Sequence, residues 1–389
     1  MRPKSNKNKS KVSISTIIDQ CIVISKAPLY RKLNMPILPR YCNFSVTYLC
    51  NHKCYMCEIW RKKEHNDLSL NEIKKIFSDK SLRKLRMIRL TGGEPFIRND
   101  IVDIVKIIKS KTNVDLIAIS TNGLLSNKII DSVKQILNLG VKLEIKISLE
   151  GNEKTHDKVR GIKGAYKKAM ETLIGLKKLK SKQYFYVGVN QTITRHNEDQ
   201  INYIYDLSKN HGCGYHPALA IAPRPVYTKG TGVNEGLLNP EKFALYDDFN
   251  IEEIKKFLNL FKEKRFDRDK TQSKGLGIAY IHQLIWDFYH KGFYNRLVYQ
   301  KEDPTVTCMT LFTRFRIEPN GDIAVCSYKP QVIGNLKQKS FTKIWCGKTA
   351  SRFRKVVKNC PGCWGGCEVQ PDLAYSPKII KYAITKILS

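Results

Sequence analysis

Between residues 43 and 222 one unit recurs six times: a short apolar run, a Gly or polar turn, and a stretch with helical period. The runs are "NFSVTYL" (43–49), "MIRL" (87–90), "VDLIAIS" (114–120), "KLEIKISLEG" (142–151), "YFYVGVNQTIT" (184–194) and "GYHPALAIA" (214–222). Between them, Ile101, Ile104, Val105 and Ile108 share one helical face, and Ile129, Val133, Ile136 and Leu137 share the next. Consecutive strands joined by helices give a parallel sheet with right-handed crossovers. The fold class this predicts is α/β, a partial (β/α)6 TIM-type barrel. Chemistry in such a barrel sits at the C-terminal ends of the strands. A doubly wound open sheet is the alternative, but it wants a Gly-rich phosphate loop after the first strand. The loop that follows here reads "CNHKCYMCEIW".

That loop places Cys50, Cys54 and Cys57 four and then three positions apart. A structural zinc site closes itself with four ligands. A [4Fe–4S] cluster normally takes four cysteines, so three leave one iron open to a cofactor or substrate. Zinc with His52 or His65 as fourth ligand is the competing reading. The chain has 12 cysteines, eight of them in two groups. A secreted disulfide framework is normally short and follows a signal peptide. The N-terminus "MRPKSNKNKSKVSISTIIDQCIVISK" is basic, only briefly apolar and interrupted by Asp19. No stretch reaches the roughly 18 apolar residues that span a bilayer. The expected setting is cytoplasmic and reducing, with metal on the grouped cysteines.

"CNHKCYMC" after the first strand, "TGGEP" after the second and "STNG" after the third together resemble the radical S-adenosylmethionine enzymes. In that family the open iron chelates the amino and carboxylate groups of S-adenosylmethionine. An electron from the cluster then gives methionine and a 5′-deoxyadenosyl radical, which abstracts a hydrogen atom from the substrate. The resemblance implies a role for each matching residue. Thr91, Gly92, Gly93, Glu94 and Pro95 would bind the methionine amino group, the glycines by close backbone approach and Glu94 as an anionic partner. Ser120 and Asn122 end the third strand. Ser148 ends the fourth and would reach the ribose or carboxylate. Arg160 in "HDKVRG" would pair with the cofactor carboxylate. Asn190 points from the fifth strand, and Tyr55 would pack near the adenine. Glu150 stands where the family usually has Asp. Tyr215, His216 and Arg224 are candidates for substrate contact; no catalytic acid or base is assigned.

A second constellation lies near the C-terminus: Cys308, then Cys326 beyond the hairpin turn Asn320-Gly321, then Cys360, Cys363 and Cys367 in "CPGCWGGC". It resembles a shortened form of the SPASM/twitch auxiliary-cluster domain. The resemblance implies one auxiliary [4Fe–4S] cluster, with Cys308 and Cys326 as ligands and two of the other three completing it; a zinc knuckle is the competing reading. The expected organisation is a basic N-terminal extension (1–41), the radical S-adenosylmethionine core barrel (42–229), a helical connecting region (230–304), the auxiliary-cluster domain (305–370) and a basic amphipathic helix (371–389). That last helix carries Ile380, Ala383, Ile384, Ile387 and Leu388 on one side.

Lys and Arg exceed Asp and Glu by 33, a balance that favours anionic partners. The basic terminal helix and the apolar patches of residues 14–37, interleaved with Lys26, Arg31 and Lys32, point to peripheral contact with an anionic membrane surface at its inner face. A lipid-linked or envelope-related substrate follows as the expectation. Peptide maturation is an alternative, lowered because only 49 residues precede Cys50, fewer than a leader-binding domain needs. A tRNA substrate is another, without a recognised RNA-binding module. A zinc-stapled nucleic-acid-binding protein is the non-enzyme reading. The resemblance further implies an electron donor such as ferredoxin or flavodoxin.

Overall fold

The computed structural model describes residues 14–62, 66–220, 249–272, 276–301, 303, 305–360, 363–376, 378–379, 381–382 and 385. All six expected strands are present: β1 (Tyr41–Thr47), β2 (Met87–Gly92), β3 (Leu116–Thr121), β4 (Lys142–Ser148), β5 (Phe185–Ile193) and β6 (Gly214–Leu219). They pair in parallel, each with the next, as crossover helices dictate. The helices between them are α2 (Leu70–Phe77), α3 (Ile101–Lys111), α4 (Ser126–Asn138), α5 (Glu153–Arg160), α6 (Ala165–Lys178) and α7 (Ile201–Asn210), preceded by α1 (Ile14–Lys32). The apolar faces read from the sequence are buried: Ile101, Ile104, Val105 and Ile108 on α3, and Ile129, Val133, Ile136 and Leu137 on α4. On β4 the pattern alternates, with Leu143, Ile145 and Ile147 buried under the helices and Glu144, Lys146 and Ser148 on the half-open inner face.

The hairpin expected around Asn320-Gly321 exists, as β7 (Arg314–Ile317) and β8 (Asp322–Ala324), with Gly321 at φ +89°. Nothing in the sequence signals that β7 also pairs in parallel with β1, Tyr41 opposite Arg314 and Phe44 opposite Ile317. The hairpin and β9 (Val332–Asn335) therefore extend the barrel sheet, in the order β6-β5-β4-β3-β2-β1-β7-β8-β9, an open partial barrel. Residues 251–298 are helical where described, in Ile251–Gln272 and Leu276–Val298. Tyr289 of the second helix stacks on buried Trp364, ring centroids 5.5 Å apart, and so holds the C-terminal knuckle. No helix among the described residues is long and apolar enough to cross a membrane.

Candidate active site

The three-cysteine loop leaves the end of β1 and is held from two sides. The Gly93 and Glu94 amides donate to the Thr47 and Leu49 carbonyls, each at 2.8 Å. A Cβ on Gly92 would fall 2.0 Å from the Thr47 oxygen, and one on Gly93 2.1 Å from the Leu49 oxygen. These glycines thus let the end of β2 close on the cysteine loop, a backbone-to-backbone approach that no side chain permits. On the other side, the Lys53 and Tyr55 amides donate to the carbonyls of Arg160 and Val159 at the end of α5.

Glu94, expected as an anionic partner, is buried, and its oxygens accept from the Phe96 amide (3.1 Å), the Thr121 hydroxyl (2.8 Å) and the Asn122 amide (2.7 Å). It ties the ends of β2 and β3 together. Burial pushes its carboxyl up to about 7 against those hydrogen bonds. Asn122 in turn donates to the side chain of Asn51 at 2.7 Å, a contact inside the cysteine loop that the spacing of the thiols does not signal. Pro95 is buried at the start of a short 3-10 turn.

Arg160 stands at the centre of the constellation. It forms an ion pair with Glu150 and donates to the Cys54 sulfur at 3.4 Å. Its Nε has no partner among the described residues. Burial works against its charge, but Cys54 and Glu150 outweigh that and hold the guanidinium firmly protonated. Glu150, fully buried, also accepts the Thr192 amide at 2.7 Å, while Gln191 and Asn197 hold its carbonyl. A polar cradle therefore runs from Cys54 to the end of β5, and the sequence reading missed Gln191 and Asn197 in it.

Thr91 and Ser120 lie in neighbouring strands at one level, and Ser148 and Asn190 pair in register one level above. All four are half-buried, and their side chains make no hydrogen bond with the described residues. They are donors and acceptors left for a polar ligand. Tyr55 packs edge-on against His196, ring centroids 4.5 Å apart. Of the suggested substrate contacts, His216 lies in register with Asn190 and bonds Tyr186 at 2.7 Å. Tyr215 is corrected: it is buried against Tyr205 and bonded to Gln191, facing away from the mouth because strand side chains alternate. Arg224 and His65 lie outside the described residues.

Burial raises the Cys50 thiol to about 11 and the Cys57 thiol to about 12. Such thiols stay protonated until a metal displaces the proton, so loading releases protons. His52, inside the loop, is buried with both ring nitrogens unpartnered among the described residues, and burial lowers it to about 3. His156, also buried, accepts the Glu150 amide at Nδ1 and falls to about 2, again mainly by burial. Both are neutral in the fold and charge on unfolding below about pH 6.5, so their stabilisation is complete above that pH and is lost as pH falls. Replacing both by asparagine should remove this dependence. Urea unfolding of the metal-free protein at pH 7.5 and 5.5 should show the wild type losing about 3 kcal/mol more than the double variant.

In the C-terminal part, Cys308, Cys326, Cys360 and Cys363 line one cavity together with Arg314 and Tyr328. The fold thus gathers at one opening two pairs of thiols that lie 34 or more residues apart in sequence, a donor set of the kind an iron–sulfur cluster takes. The side chain of Cys367 lies outside the described residues. Burial raises the Cys326 thiol to about 12 and lifts Cys308 and Cys363 further. Arg314 donates to the Cys308 sulfur at 3.7 Å, grips Asp372 through two bonds of 2.8 and 3.0 Å, and pairs with Glu368. Glu368 also accepts from the amide and hydroxyl of Ser327, so the network joins the hairpin to the knuckle.

Comparison with known proteins supports both halves. The Radical SAM superfamily model matches residues 44–204, and the SPASM iron-sulfur cluster-binding domain model matches residues 308–367. An AdoMet-dependent heme synthase of Methanosarcina barkeri is 24% identical over 339 residues, covering 85% of this chain and 88% of that protein. The sporulation killing factor maturation protein SkfB of Bacillus subtilis is 24% identical over 345 residues, covering 88% and 73%. Among solved structures, Streptococcus suis SuiB bound to S-adenosylmethionine superposes with a TM-score of 0.58 at 13% identity over 89% of this chain and 75% of that one. Native anSMEcpe with bound AdoMet gives 0.57 at 17% identity, over 89% and 96%. At such identities the superpositions speak for the fold alone.

Proposed function

The chain belongs to the radical S-adenosylmethionine enzymes with a SPASM-type iron–sulfur domain, and from that premise we propose that it cleaves S-adenosylmethionine reductively and removes a hydrogen atom from a substrate held at the mouth of the barrel. The observation that carries the reading is the cradle itself. Three cysteines on one loop are braced by Gly92 and Gly93, with Arg160 joining Cys54 to Glu150. Cys50, Cys54 and Cys57 would hold a [4Fe–4S] cluster, whose chemistry when bound is one-electron cleavage of the sulfonium. Arg160 offers its unpartnered Nε, and Thr91, Ser120, Ser148 and Asn190 offer unspent polar groups, for the methionine and ribose parts. Glu94 holds the ends of β2 and β3 in place and keeps lone pairs for an ammonium. Tyr55, with His196 beside it, supplies an aromatic wall for the adenine. Cys308 and Cys326, with two of Cys360, Cys363 and Cys367, would hold the auxiliary cluster.

The test is dithionite-driven release of 5′-deoxyadenosine from anaerobically reconstituted protein, with ferredoxin or flavodoxin then substituted for dithionite. Nucleoside from the wild type, and none from a Cys50/Cys54/Cys57→Ala variant, is the expected result; equal release from both would sink the reading. For the substrate, the half-exposed apolar and basic N-terminal segment favours a lipid-linked or envelope-related molecule. Peptide modification is the second reading, favoured by the similarity to SkfB over 88% of this chain. Separate incubations with lipid extract and with peptides, followed by mass spectrometry of each, distinguish the two.

A further inference from the structure

We propose that α1 and the helix Lys348–Lys358 form one docking face for an anionic phospholipid bilayer. The two elements are bolted together. Arg31 donates to the Lys358 carbonyl at 3.0 Å, Asn34 to the Ser351 carbonyl at 3.1 Å, and Lys358 to the Lys32 carbonyl at 2.9 Å. The Trp345 indole donates to the Ile37 carbonyl just beyond α1, at 3.2 Å. On α1, Val23 and Ala27 face inward, while Ile22, Lys26 and Leu29 face out at helical spacing, followed by exposed Leu33 in the turn after the helix. Leu29 and Leu33 are 55% and 56% exposed, and Met35 and Leu38 beyond them 48% and 43%. On the second helix Lys348, Thr349, Arg352, Lys355 and Val356 are exposed.

Charge decides the partner. Residues 20–41 and 336–359 hold no Asp or Glu, and of their 12 Lys and Arg eight are exposed, Lys337 among them paired with Glu72, while Arg40 and Arg354 are buried. A basic face alone would suit any polyanion. Exposed leucines and a methionine set among lysines are what an interfacial surface presents, apolar groups entering the acyl boundary and ammonium groups meeting phosphates. RNA offers no such apolar layer to five aliphatic side chains in a row of exposed positions. In the C-terminal segment Ile379 is buried and Tyr382 packs against Phe288, ring centroids 5.5 Å apart, while Lys378, Lys381 and Thr385 are exposed. Its Ile380, Ala383, Ile384, Ile387 and Leu388 lie outside the described residues.

This docking face rests on the lipid-linked reading only for its purpose, and vesicle binding is measured apart from nucleoside release, so either can fail alone. The experiment is flotation of the full chain with vesicles of phosphatidylcholine and with vesicles containing roughly a third phosphatidylglycerol. Binding to the anionic vesicles only is expected. Leu29→Ser/Leu33→Ser/Met35→Ser and Lys348→Gln/Arg352→Gln/Lys355→Gln should each weaken it at least tenfold, whereas Ile174→Ser/Tyr203→Ser, also exposed, should not. Circular dichroism checks that each variant is folded. No binding by the wild type overturns the proposal. So does equal binding by all variants, which would assign it to the diffuse net charge. Displacement by duplex RNA together with indifference to the leucine substitutions overturns it in favour of nucleic acid.

Discussion

Replacing Arg314 by alanine is expected to cost about 3–5 kcal/mol, the range for breaking a buried ion pair from one side. The substitution takes from buried Asp372 the guanidinium that grips it and removes the same cation from Glu368. It also removes the donor to the Cys308 sulfur and one of the two links between hairpin and knuckle, leaving the bonds from Ser327 to Glu368. The loss should be local in its consequence for metal: iron in the reconstituted variant falls by about four per chain, the content of one cluster. Arg314→Lys keeps the charge but not the two-pronged grip on Asp372, and should fall between. Urea unfolding and iron analysis together check this. Unchanged stability with full iron would show that the network does not hold the C-terminal site.

At the first site, Arg160→Ala leaves Glu150 buried without its partner and Cys54 without a donor. We expect a cost of about 3–5 kcal/mol and loss of 5′-deoxyadenosine release. Glu150→Gln should cost about as much in stability, since it leaves the guanidinium uncompensated. The double variant Glu150→Gln/Arg160→Gln should be less destabilised than the two single costs added, because neither charge is then left alone. Nucleoside release should stay absent in the double variant, which separates the cradle's structural role from its proposed contact with cofactor. Additive costs in a double-mutant cycle would contradict the pairing.

Much of the frame was legible in the residues. Six strands and the helices α3 and α4 follow from apolar pattern, because each apolar face had one sheet to cover. The cysteine loop was legible because few arrangements need three thiols there, and Gly92 and Gly93 through the family resemblance of "TGGEP". Other features were hidden for definite reasons. The parallel pairing of β1 with β7 joins residues about 270 positions apart, and a strand carrying Arg314 and Arg316 reads as a solvated hairpin. In fact both arginines point inward, each satisfied by carboxylates, with Arg316 also donating to Ser45 at 2.9 Å. Helix α5 escaped notice because "EKTHDKVR" is too polar for a face to stand out, yet its buried His156, Val159 and Arg160 brace the site. The half-spent polar groups at the strand ends resemble ordinary turn residues until register aligns them.

The central claim, two iron–sulfur clusters in one barrel, is tested most directly by counting iron and sulfide per chain after anaerobic reconstitution. The count is made for the wild type, for Cys50/Cys54/Cys57→Ala, and for Cys308/Cys326/Cys360/Cys363→Ala. About eight irons in the first and about four in each variant are expected, with matching sulfide. Zinc in place of iron, or a variant that keeps the wild-type count, would contradict it.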